Sequence, residues 1–141
     1  MKSDKDVHPS GSDTQTPCIS KKALWTGRVM TALPALFLLF DGAMKLAKPA
    51  PVVEATVQLG YPESVILPLG IVLLACTVLY LIPRTAVLGA ILLTGYLGGA
   101  TATQVRVQDP WFLFPIALGV ISWLGLYLRE PRLRALTTKG R

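Results

Sequence analysis

The sequence predicts an all-α membrane protein: a four-transmembrane-helix bundle with a short interfacial helix between the first and second helices. Three observations carry that prediction. Of 141 residues, 52% are apolar and only 16% carry a charge, a balance that suits hydrocarbon better than water. The apolar residues arrive in long unbroken blocks, without the period of 2 or 3.6 that marks an element with one wet face. Most Lys and Arg residues flank those blocks and form no continuous basic face. The net charge of +6 therefore reads as a topology signal, and nucleic acid is not an expected partner.

Residues 1–22 are rich in Ser, Asp, Lys, Thr and Pro and cannot bury enough apolar surface to offset the entropy of ordering. They are expected to form a disordered polar tail, too polar for a secretory leader. The first span is expected over 23–43, with Arg28 reaching toward the nearer surface and Pro34 removing a backbone donor mid-span, which predicts a kink. Beyond Pro49 and Pro51, residues 52–59 carry Glu54 and Gln58 four apart among apolar neighbours, the pattern of a helix lying in the membrane interface. Gly60, Tyr61 and Pro62 end it.

Residues 64–82 carry no charge and are long enough, at about 1.5 Å per residue, to cross a hydrocarbon layer of roughly 30 Å. Pro83 and Arg84 then leave so short a turn that the third span, 85–105, must return antiparallel beside the second. The fourth span, 110–128, opens with Pro110 at a first-turn position and with Trp111 and Phe112 suited to headgroup level. Trp123 and Tyr127 are expected to mark its other interface, and residues 130–141 form a basic tail. Four crossings put both ends on one side, together with Lys21, Lys22, Arg28, Arg84 and that tail. The other side holds only Lys45, Lys48 and Arg106, so both termini are expected to be cytoplasmic.

Asp41 and Lys45 lie one helical turn apart, in the carboxylate-first order that favours pairing. Gln104, Arg106 and Asp109 reach the same level at the end of the third span, so these five polar residues can converge near the outer surface. Ionisable groups in or near lipid are costly unless paired, which makes the cluster a candidate site for a lipid-like head group or a quinone. Pairing that merely fixes helix packing is the plainer alternative. Gly95 and Gly99 form a GxxxG in the third span, with Gly98 and Ala102 beside it. That pattern suits either close packing inside the bundle or a homodimer face.

His8 is the only histidine and lies in the polar tail, so no membrane-embedded site with histidine ligands to haem or copper is expected. Cys18 and Cys76 form no CxxC pair, and Cys76 sits mid-span, where a thiol behaves as a small apolar group. No Ser/His/Asp arrangement, phosphate-binding Gly loop or other catalytic motif is present. No cofactor is expected to be the chain's own.

The segments LFDGAMKLAKP, QLGYPES and LIPRTAVLGAILLTGYLGGATATQVRVQDP, within residues 33–128, resemble the DoxX-like family of small four-helix bacterial membrane proteins. The resemblance implies a bacterial cytoplasmic membrane protein, distantly related to a membrane subunit of thiosulfate:quinone oxidoreduction, in a group with no settled shared activity. Gly42 and Lys45 fit the family's GxxK-like feature. Gln104 stands where similar sequences often carry His, a departure that weakens a proton-transfer or metal role there. The expected function is a non-catalytic membrane module that binds a partner protein or a lipid-like molecule. The alternative is a subunit of a quinone-linked oxidoreductase system whose partner supplies the redox centre. A small transporter comes third, because Pro34 and Pro68 are its only hints and no internal repeat appears.

Overall fold

The computed structural model describes residues 20–139. The polar tail up to residue 19, with His8 and Cys18, and the last two residues lie outside that range. Helix α1 (Lys21–Ala47) is followed by the short α2 (Ala50–Gln58), and a 3-10 turn over Glu63–Val65 leads into α3 (Ile66–Leu81). After α4 (Ala86–Arg106), a second 3-10 turn over Pro110–Phe112 opens α5 (Leu113–Arg129), and α6 (Pro131–Thr138) closes the described chain. With their lead-in turns, α1, α3, α4 and α5 are each long and apolar enough to cross a membrane, with mean hydropathies between 1.5 and 2.4. The exterior is apolar in keeping with that solvent: Leu33, Leu36 and Phe40 are each 64% exposed.

The four long helices form a ring in which α1 packs on α3 and α5, and α4 packs on the same two, so that α1 and α4 stand diagonally opposite. The expected α3–α4 hairpin is present. Its helices meet so closely that a Cβ on Gly89 would lie 2.2 Å from the Tyr80 backbone nitrogen. The α1–α5 seam closes the ring in the same manner, a Cβ on Gly125 falling 2.9 Å from Thr31 Oγ1 and 3.0 Å from the Met30 carbonyl carbon. Pro34 lies inside α1 without ending it.

The core between the helices holds Leu38, Leu73, Cys76, Tyr80, Leu93 and Leu126. Tyr80, fully buried, donates its hydroxyl to the Ser122 carbonyl at 2.7 Å, which satisfies a polar group that lipid would leave stranded. The Trp123 indole N–H donates to Thr94 Oγ1 at 2.7 Å and ties α5 to α4.

Two segments differ from expectation. Lys21 and Lys22, assigned to the tail, form the first turn of α1. Residues 131–138, read as part of a basic tail, form a helix with Pro131 in its first turn, and it docks on the end of α5. The last carbonyls of α5 have no intrahelical donor, and the Arg134 guanidinium supplies one to Tyr127 O (3.1 Å) and to Leu128 O (2.8 Å). The same guanidinium lies 5.8 Å from the centre of the Tyr127 ring.

Candidate functional site

At the end of the bundle opposite α6, the helices do not fill their interior. A cavity of about 560 Å³ opens there, within the range of small-molecule sites. Its absent volume is traceable to α4. Gly95 and Gly99 share one face of that helix, and a Cβ on either would meet nothing within 4 Å. Because α1 stands diagonally across and does not advance into the gap, the bare face of α4 leaves a void. Of the two alternatives for Gly95 and Gly99, close packing inside the bundle is not what this chain shows: both line the cavity, while Gly89 and Gly125 make the close contacts.

Helix α2 roofs the cavity through Pro51, Val52, Ala55 and Thr56. Its ends are set by backbone conformations that the sequence encodes. Lys48 turns left-handed (φ 50°) after α1, and Pro49 and Pro51 start a new helix. Gly60 (φ 87°) ends α2, with the Gly60 N–H bonded to Val57 O and the Tyr61 N–H to Thr56 O. That reversal carries Tyr61 back over the bundle, where its hydroxyl lies 2.9 Å from Thr103 Oγ1. Helix α4 ends similarly at Gln108 (φ 57°), with the Asp109 N–H bonded to Gln104 O.

The wall is polar at one end and apolar at the other. The polar end, under α2, brings together Asp41, Lys45, Thr56, Tyr61, Thr103 and Gln104. Asp41 and Lys45 form an ion pair one turn apart on α1, with the Lys45 side chain only 16% exposed. The threonine protons are already committed, Thr56 donating to Val52 O (2.7 Å) and Thr103 to Gly99 O (2.9 Å). Since Thr103 has one proton, Tyr61 must be the donor in the Tyr61–Thr103 bond. Gln104 Oε1 is sealed from solvent with no hydrogen-bond partner, a deficit of about 1–3 kcal/mol for a buried acceptor.

Nine residues below Gln104, about 14 Å along the helix axis, Gly95 marks the deeper end. The apolar lining is Phe37, Leu38, Leu97, Phe114 and Leu118. Phe37 of α1 and Phe114 of α5 meet edge to face, with centroids 5.1 Å apart and planes at 76°.

Of the five polar residues expected to converge, Asp41, Lys45 and Gln104 do so and Arg106 and Asp109 do not. Arg106 donates to the Leu59 carbonyl at 2.9 Å and holds the end of α2, crossing so near Gly60 that a Cβ there would lie 2.8 Å from the guanidinium. Asp109 accepts the Trp111 N–H at 3.0 Å and caps the turn that starts α5. Sequence reasoning missed Tyr61, Tyr96 and Thr103. Tyr61 stood in QLGYPES directly after Gly60, and the left-handed turn at that glycine is what redirects its side chain. Among the described residues no three His, Cys, Asp or Glu side chains group closely enough to hold a metal ion.

The family model described as the DoxX-like family matches residues 29–125, a stretch that contains every cavity-lining residue. No curated protein and no solved structure matches the chain.

Proposed function

The chain belongs to the DoxX-like family of membrane proteins, and from that premise we propose that it is a non-catalytic module that holds a lipid-like amphiphile beneath α2. The observation that carries this is the polarity of the cavity: a head group would meet Asp41, Lys45, Tyr61 and Gln104, and its tail would run down the Phe37, Leu38 and Leu118 wall. We place the protein in a bacterial cytoplasmic membrane with both termini inside, because Arg84 and the flanks of α1 and α5 carry most of the basic residues. The cavity then opens toward the outer leaflet. Extraction of the purified protein followed by mass spectrometry of what co-purifies is the direct test. Wild type should retain a stoichiometric amphiphile, and Gly99→Leu, which places a side chain in the void, should lose it. Equal recovery from both would remove the proposal.

A quinone-linked subunit is the second reading, favoured by the aromatic pair Phe37–Phe114 beside the polar end. A membrane partner would then supply the redox centre. Titration with a short-chain quinone, compared between wild type and Lys45→Ala, separates the two readings. Saturable binding that weakens in the variant supports the quinone, whereas negligible binding in both excludes it.

A further inference from the structure

Taking the cavity as an amphiphile site, we infer that its ligand carries an uncharged, hydroxyl-bearing head, and that Gln104 is the residue that reads it. Two features of the polar end lead there. The first is charge. Among the described residues, Asp41 and Lys45 are the only charged side chains on the wall, and they pair with each other. A carboxylate or phosphate head would have to lie against Lys45 while facing the Asp41 carboxylate. It would lose its hydration against two wall charges that cancel, and Arg106, the cation beside the lining residue Leu59, is committed to the Leu59 carbonyl. A cationic head meets the mirror-image problem.

The second feature is the direction of the hydrogen bonds already made. Thr56, Thr103 and Tyr61 have all given away their protons, so each presents only lone pairs to an incoming head. Gln104 Oε1 is a fourth acceptor, sealed at the wall without any donor. Rotation about the terminal torsion of Gln104, which has no steep wells, turns either end of the amide toward the cavity. The remaining donors are the free protons of Lys45, the Gln104 amide and the Tyr96 hydroxyl. A wall with these acceptors is left partly unpaired by a head that only accepts, such as an ester, an ether or an oxidised quinone. A hydroxyl both donates and accepts, so a glycerol-type head or a quinol completes the set.

The test compares three single-chain probes of one acyl length at equal mole fraction in phosphatidylcholine nanodiscs containing the full chain: monoolein, its dimethyl ether and oleate. Occupancy is read by native mass spectrometry. Wild type is expected to hold monoolein at least tenfold more tightly than the ether or the anion. Gln104→Met, close to Gln in length and shape, is expected to narrow that ratio to within about threefold while the ether's own affinity stays put. Ether or oleate binding as tight as monoolein would overturn the inference but leave an amphiphile site standing. An unchanged ratio in Gln104→Met would overturn the role of that residue. No saturable binding of any probe, with wild type and Gly99→Leu alike, would instead overturn the amphiphile site itself.

Discussion

The two halves of α4 use the same small residue to opposite ends. In the first half Gly89 lets the backbone of α3 come to contact, with Ala86, Ala90 and Leu93 buried around it. In the second half Gly95, Gly98 and Gly99 have no neighbour where a side chain would stand. A glycine in a membrane helix thus marks either the closest approach in the bundle or its emptiest place. What decides between them is the face and level of the helix on which the glycine stands, and what lies opposite. The packed half fixes the architecture, and the open half leaves the cavity.

Substitutions along α4 can break this contrast. The largest effect is expected from Gly89→Val, where the new side chain would overlap the Tyr80 backbone. A loss of more than about 4 kcal/mol, or outright failure to fold, should appear in denaturant titrations in micelles. Tyr80→Phe, in the same packed half, leaves the buried Ser122 carbonyl without its side-chain donor and should cost about 1–3 kcal/mol in that assay. Arg106→Ala, at the open end, is expected to cost about 1 kcal/mol or less and to act locally. Hydrogen exchange should speed up around residues 56–62, where the Leu59 carbonyl loses its donor, and stay unchanged in α3. The smallest change, Gly99→Ala, should reverse sign: with space for the methyl group and a better helix former, stability rises by about 0.5–1 kcal/mol. A destabilised Gly99→Ala would mean that the two halves are alike after all.

Labelling sharpens the proposed orientation. In a cysteine-free background, Gln58→Cys in α2 should react with an impermeant maleimide on intact cells, and Arg84→Cys in the α3–α4 turn should react only after lysis. The reverse pattern would place the cavity at the cytoplasmic leaflet.

The bundle was legible in the sequence because hydrocarbon imposes a demand that composition alone can reveal: unbroken apolar runs of sufficient length, with turn residues between them. The α3–α4 hairpin followed from the shortness of the Pro83–Arg84 turn. The α1–α5 seam did not, since nothing local states which helix lies beside the first. The site was half legible for a related reason. Asp41, Lys45 and Gln104 were found because polar residues in apolar blocks stand out, and because alternate helices return to the same level. Arg106 and Asp109 lie at that level but do not line the cavity, because both are spent on backbone groups exposed by chain reversals, Leu59 O and Trp111 N, which spacing does not disclose. For Gly95 and Gly99 the sequence left bundle packing and a homodimer face both open, because a pattern of small residues specifies a face and not what stands opposite it.

The α1–α5 seam has a consequence for connectivity. A Cβ on Gly27 near the start of α1 would lie 3.0 Å from Leu128 Cβ at the end of α5, so the first and last long helices adjoin where one begins and the other stops. The order of helices around the ring is therefore independent of where the chain is cut. A circular permutant opened between Pro83 and Arg84, with a linker joining the region after α6 to the start of α1, keeps every lateral neighbour and every cavity wall while making α4 the first helix to be synthesised.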